Sequence, residues 1–194
     1  MKLIVTGATG FVGTEVIRLA LLDKSITSVV ALTRREFDVP EDAGPEANLS
    51  KLQTVILENW GEPYPESVRE HIKGADGCIW FVHPTMKIGV YLGTALVNSI
   101  HDRTLAVTPR KSKEMDPTEV ETICFDYTVN GLRTMAALAN KPFRFVYTSG
   151  ALVERDQSKS LWFLANYRLM RVSRSPQSTA ILYTAPLTVC AGPN

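Results

Sequence analysis

Lys2-Leu3-Ile4-Val5-Thr6-Gly7-Ala8-Thr9-Gly10-Phe11-Val12-Gly13 is the stretch that decides the fold. Leu3–Thr6 is a near-continuous apolar run, as expected of a parallel strand buried on both faces. Glycines then recur at every third position, Gly7, Gly10 and Gly13, and a helical pattern begins at once. A strand that ends in a glycine-rich turn and opens a helix is a device for holding phosphate. Bare glycines let the backbone approach the ligand, and the helix N-terminus offers N–H groups and a partial positive charge. The amides from Thr9 to Val12, with Phe11 between them, are the expected cradle.

Outward from this turn, strands and helices alternate. The first helix is predicted over Phe11–Leu22, with Val12, Val16, Leu19 and Ala20 turned toward the core. Ser28–Thr33 and Gln53–Leu57 read as the second and third strands, separated by an acidic, proline-bearing loop around residues 40–45. A short helix over Glu66–Ile72 precedes a fourth strand, Cys78–Val82. A longer helix is predicted over Thr118–Ala139, with Gly131 on its apolar stripe permitting close packing. Arg144–Thr148 is the fifth strand. Repeated β-α-β order argues for an α/β fold, a doubly wound parallel sheet with helices on both faces.

Composition narrows the function classes. The chain has 194 residues, 45% of them hydrophobic, which is enough for a real core. A net charge of +1 gives no reason to expect nucleic acid or an anionic membrane as partner. The three cysteines, Cys78, Cys124 and Cys190, lack metal or redox spacing and fit buried apolar positions in a reducing compartment. No secretory signal is visible, and the longest weakly charged stretch, residues 88–100, falls short of the roughly 20 residues a membrane span needs. A cytoplasmic protein is expected. His83, His101 and Asp102 are not spaced as ligands, so no metal site is expected.

The end of the second strand bears on the nucleotide that such a turn would hold. An acidic residue there hydrogen-bonds a ribose 2′-hydroxyl and repels a 2′-phosphate. This chain has Thr33-Arg34-Arg35 instead, with Glu36 following. Guanidinium groups grip phosphate in bidentate fashion, so Arg34 and Arg35 favour NADP(H) over NAD(H). The spacing G-x-x-G-x-x-G resembles that of the extended and atypical short-chain dehydrogenases/reductases, which carry the Rossmann fold. The resemblance implies that Gly7 makes the turn, Gly10 admits the pyrophosphate and Gly13 lets the helix pack on the strand.

Further motifs carry a narrower resemblance. Arg144-Phe145-Val146-Tyr147-Thr148-Ser149-Gly150, Glu154-Arg155-Asp156-Gln157, Leu161-Trp162-Phe163 and Tyr167-Arg168-Leu169-Met170-Arg171 are similar to a group of fungal NAD(P)-binding proteins described as nucleoside-diphosphate-sugar-epimerase-like or NmrA-like. The similarity covers residues 1–81 and 105–171. Short-chain dehydrogenases place a serine or threonine after the fifth strand and a Tyr-x-x-x-Lys on the next helix. The tyrosine passes a proton to or from the substrate oxygen, the lysine lowers its pKa, and the hydroxyl orients the carbonyl. The resemblance makes Tyr167 the acid/base, Arg171 its electrostatic partner and Ser149 the orienting hydroxyl. Two departures stand out. Arg171 replaces the lysine, and one alignment puts Gly150 at the hydroxyl position, with Ser149 and Thr148 as neighbours. Tyr167 equally suits an amphipathic helix residue with its ring packed and its hydroxyl wet.

Two segments match neither pattern nor family: an insertion at residues 82–104, and a tail at 172–194 that follows a first domain of residues 1–171. Pro176 breaks any helix there. The abrupt ends of the resemblance are those expected of translated intron, which transcript reads across the junctions would show. Alternatively Ile181–Thr184 replaces the sixth strand. Either way the C-terminal strands and substrate region read as truncated or replaced. Three functions are expected from the resemblance. They are NADPH-dependent reduction or oxidation of a small organic carbonyl or alcohol in fungal secondary metabolism, non-catalytic dinucleotide sensing, and nucleotide-sugar epimerisation. A homodimer through the long helix is a further expectation by fold analogy.

Overall fold

The computed structural model describes residues 1–36, 43–81, 116–147, 156, 158–160 and 182–183. Its elements are β1 (Lys2–Thr6), α1 (Phe11–Leu22), β2 (Ser28–Thr33), a 3-10 turn (Leu49–Lys51), β3 (Leu52–Ile56), α2 (Glu66–Ile72), β4 (Gly77–Trp80), α3 (Pro117–Glu121), a π-helical turn (Thr122–Asp126), α4 (Tyr127–Leu138), β5 (Arg144–Tyr147) and β6 (Leu182–Tyr183). The first helix and second strand lie as the sequence predicts. The third and fourth strands each begin and end earlier than predicted, and the long helix is interrupted by the π turn. The insertion at 82–104 lies outside the described residues.

The strands form one sheet in the order β3-β2-β1-β4-β5-β6. Every neighbouring pair is parallel, with Leu3 opposite Val29 on one side of β1 and Gly77 on the other. Leu182–Tyr183 pairs with β5 and supplies the sixth strand. The chain winds outward from β1 through β2 to β3, then crosses back and winds the other way from β4. That reversal leaves a crevice at the carboxyl ends of β1 and β4, where sheets of this kind bind ligands.

Strand side chains alternate between two cores. Leu3, Val5, Val29 and Ala31 meet Ile17, Ala20 and Leu21 of α1 on one face. Ile4, Val30, Leu32, Val55 and Cys78 meet Val68 and Ile72 of α2 and Leu132 and Met135 of α4 on the other. Ile17 and Leu21 have no exposed surface, and each such burial is worth about 1.5–3 kcal/mol. The predicted inward face of α1 is corrected: Val12 is 42% and Leu19 51% exposed. Gly13 sets the helix's rotation because only it fits against the turn. The buried set is therefore Gly13, Ile17, Ala20 and Leu21. Cys78 and Cys124 are buried, and Cys190 lies outside the described residues.

Gly131 behaves as the stripe suggested. A Cβ there would lie 2.1 Å from Cη2 of Trp80, so α4 sits directly on the indole. The Trp80 Nε1–H donates to Thr128 Oγ1 at 3.0 Å, and that hydroxyl donates to the Cys124 carbonyl at 3.1 Å.

At the opposite end of the sheet, Asp76 ties three segments together. Its Oδ2 accepts from the Lys2 amide at 2.7 Å, and its Oδ1 accepts from Asn140 Nδ2 at 2.8 Å. The same amide nitrogen donates to the Gly74 carbonyl at 2.9 Å. Hydrogen bonds from Asn140 first, then the Lys2 amide, hold the Asp76 carboxyl below the usual carboxylate range. A carboxyl depressed in the folded state stabilises it above the unfolded pKa and ceases to as pH falls through the folded value. Asp76→Ala is therefore expected to lower the urea midpoint at neutral pH. The gap from wild type should close on acidification below the ordinary aspartate value of about 3.9. A gap that is independent of pH would remove the carboxylate from the account.

Candidate functional site

The site is assembled at the switch point. The Phe81 amide donates to Thr6 Oγ1 at 2.7 Å in a buried contact, so the ends of β1 and β4 are bound together. Gly7 follows with φ +63°, and a Cβ on it would lie 2.2 Å from the Phe81 carbonyl oxygen. Both the left-handed backbone and the close neighbour demand glycine. The Gly10 amide donates to the Gly7 carbonyl at 3.0 Å and closes the turn. Gly10 then caps α1 in an extended conformation (φ −94°, ψ 158°) with no side-chain capping hydrogen bond of its own. The first helical bond runs from the Thr14 amide to the Gly10 carbonyl at 2.7 Å. The amides of Val12 and Gly13 precede it and have no acceptor within the helix. A Cβ on Gly13 would fall 2.2 Å from the Gly7 oxygen, which shows how closely α1 is drawn onto the turn.

Phe11 is 80% exposed at the mouth of this crevice, beside Val12. Thr9 is half-buried on the turn. Gly7, Thr9, Gly10, Phe11, Val12 and Gly13 are thus gathered into one open-ended loop and helix start. Arg34 and Arg35 emerge exposed from the adjacent strand, β2. Buried Thr33 shapes that exit: its hydroxyl donates to the Arg35 carbonyl at 2.5 Å, and its carbonyl accepts from the Leu57 amide at 2.7 Å. The residues present fit a dinucleotide. Gly7 and Gly13, where a Cβ would strike backbone, draw the start of α1 onto the turn; a helix N-terminus so placed suits a pyrophosphate, and two guanidinium groups suit a further phosphate.

A third wall escaped the sequence reading. Residues 57–65 leave β3 and pass as a strap beneath α4 before α2 begins. Trp60 and Tyr64 of this strap are only 5% and 3% exposed. Trp60 stands edge-on to Trp80 at 5.5 Å and to Tyr64 at 6.4 Å. Among the described residues Trp60 Nε1 and Tyr64 Oη have no hydrogen-bond partner, and burial pushes the Tyr64 phenol well above its ordinary pKa. Asn59 Oδ1 accepts from the Gly61 amide at 3.0 Å. Asn130 Nδ2 donates to the carbonyls of Trp60 and Glu62, both at 2.8 Å. The available signal was two large aromatics within a turn-rich connection, since rings in a loop must find a core.

Tyr167, Arg171 and Ser149, with Thr148 and Gly150, lie outside the described residues. Among the described residues, no group of three or more His, Cys, Asp or Glu is placed to hold a metal, and no helix is long and apolar enough to cross a membrane.

Comparison with known proteins agrees with this architecture. No family model matches the chain. One curated relative, leucinostatins biosynthesis cluster protein T of Purpureocillium lilacinum, is 30% identical over 149 residues, covering 77% of this chain and 42% of its own. A short-chain dehydrogenase of Shigella flexneri superposes with TM-score 0.53 at 16% identity, over 88% of this chain and 70% of its own. UDP-glucose 4-epimerase of Bifidobacterium longum, solved with NAD+ and UDP, gives 0.50 at 16%, over 79% and 38%. These likenesses show the fold: a Rossmann-type sheet of the kind found in short-chain dehydrogenases and epimerases. The chain spans less than half the length of the curated relative it matches.

Proposed function

We propose that the chain binds NADPH in preference to NADH and serves an oxidoreductase of the short-chain type acting on a small organic carbonyl or alcohol. The observation that carries the reading is the glycine cradle at the β1/β4 switch point with Arg34 and Arg35 at the end of the neighbouring strand. Gly7, Gly10 and Gly13, with the Thr9–Val12 amides, would hold the pyrophosphate, and the two arginines the 2′-phosphate. The nicotinamide, when bound, supplies the reducing equivalents of carbonyl chemistry. Tyr167 would give its phenolic proton to the carbonyl oxygen, Arg171 four residues on would favour the phenolate, and Ser149 would orient the carbonyl. The curated relative's name, that of a biosynthesis cluster protein, supports a place in secondary metabolism.

A second reading has its own observation. Arg171 stands where short-chain enzymes carry lysine, and a rigid planar fork does not reproduce a compact ammonium. A dinucleotide sensor without turnover suits that replacement.

Titration calorimetry tests the cofactor assignment. Wild type is expected to bind NADPH more tightly than NADH. Arg34→Ala/Arg35→Ala should weaken NADPH about 10–100-fold, the loss of charge-assisted bonds worth about 1.5–3 kcal/mol, and leave NADH unchanged. Equal affinity of the wild type for both nucleotides defeats the assignment. NADPH oxidation with a panel of carbonyls separates enzyme from sensor.

A further inference from the structure

We infer that Asn130 is a positioning residue for nucleotide selection, acting from α4 through the strap on the arginine-bearing end of β2. The inference rests on the NADPH reading above.

A single amide group carries two hydrogens, and here both are used. Asn130 Nδ2 reaches the Trp60 and Glu62 carbonyls at 2.8 Å each, on either side of Gly61. Two bonds from one nitrogen to carbonyls two residues apart fix the curvature of that backbone as one bond could not. The contact is reinforced from the same helix face. A Cβ on Gly61 would lie 3.1 Å from Cε1 of Tyr127, three residues before Asn130. The rings of the strap add packing but little direction, because among the described residues Trp60 Nε1 and Tyr64 Oη make no hydrogen bond. The bond from the Gly61 amide to Asn59 Oδ1 is internal to the strap, so its direction relative to α4 comes from Asn130.

The strap's other end carries the effect to the site. The Leu57 amide is bonded to the Thr33 carbonyl at 2.7 Å, and the Thr33 hydroxyl holds the Arg35 carbonyl. Arg34 lies between these two ties. A strap released at Trp60–Glu62 pulls on the residue pair that sets the course of Arg34 and Arg35. The glycine cradle on β1 is tied by its own hydrogen bond to Phe81, and the strap reaches that end of β4 through the ring contact of Trp60 with Trp80. Loss of Asn130 should accordingly blunt discrimination more than it weakens dinucleotide binding as such.

The test is the ratio of NADH to NADPH dissociation constants in wild type, Asn130→Ala and Asn130→Asp. The aspartate has the same shape but presents oxygens to both carbonyls, and it stands in should the alanine variant fail to fold. Both variants are expected to lose about tenfold of the wild-type ratio, the effect of one orienting hydrogen bond, mostly through weaker NADPH. A ratio equal to wild type, or an equal weakening of both nucleotides, overturns the positioning role. A wild type that does not discriminate overturns the NADPH reading and this inference with it. A discriminating wild type whose variants keep its full ratio overturns this inference alone.

Discussion

Gly13→Ala is expected to abolish nucleotide binding and lower the melting temperature by about 6–12 °C, the equivalent of roughly 3 kcal/mol of overpacking in a chain of this length. The added methyl would lie 2.2 Å from the Gly7 oxygen, 2.8 Å from its carbonyl carbon and 3.0 Å from the Ala8 Cα. All three are backbone atoms, so no side chain can swing aside. Gly7 cannot yield either, since its own position is set against the Phe81 carbonyl. The helix must withdraw from the turn, carrying the Phe11 and Val12 amides away from the phosphate position. Differential scanning fluorimetry with and without NADPH reads both effects. On the proposed function, wild type should gain stability with nucleotide, because a ligand of the native state raises its melting point. The variant should gain none. A variant that melts and binds like wild type would show that α1 is not seated against Gly7.

Gly131→Ala should produce the second largest loss, and here two opposing magnitudes decide the sign. Alanine improves helix propensity by about 1 kcal/mol over glycine. The methyl would meet Trp80 Cη2 at 2.1 Å and Cζ3 at 2.5 Å, with Tyr64 Oη at 3.0 Å. Trp80 has nowhere to go. It is fully buried, packs against tilted Phe145 at 5.4 Å and edge-on against Trp60 at 5.5 Å, and is tethered through Nε1 to Thr128. Overpacking of a locked ring costs about 3 kcal/mol, which leaves a net loss near 2 kcal/mol. Urea denaturation should show a lower midpoint with an unchanged slope. A stabilised variant would mean that propensity wins and that α4 stands off from the sheet.

Much of the fold was legible because its signals are local. The apolar run of β1, the glycine spacing and the 3.6-residue period are each visible within a dozen positions, and Phe11–Leu22 and Ser28–Thr33 follow from them. What was misread depends on distant contacts. Hydrophobicity alone turned Val12 and Leu19 inward, whereas a contact between Gly13 and the turn behind it rotates the helix the other way. The Asp76–Asn140–Lys2 tie and the grip of Asn130 on the strap join residues far apart in the chain, and no spacing rule finds them. The first half of the candidate site could be placed by motif. The roles of Tyr167, Arg171 and Ser149 rest on resemblance and fall outside the described residues.

The strand order has a consequence for how the molecule is made. β1 is the central strand, yet one of its two neighbours, β4, comes late: the bond from Lys2 to Asp76 joins residues 74 positions apart. At ribosomal rates of about 5–20 residues per second, β1 and β2 emerge seconds before β4 can close over Ile4 and Val5. During that interval the apolar edge of β1 is open to other nascent chains. Efficient production in a foreign host should therefore depend on holdase chaperones more than on the stability of the finished fold.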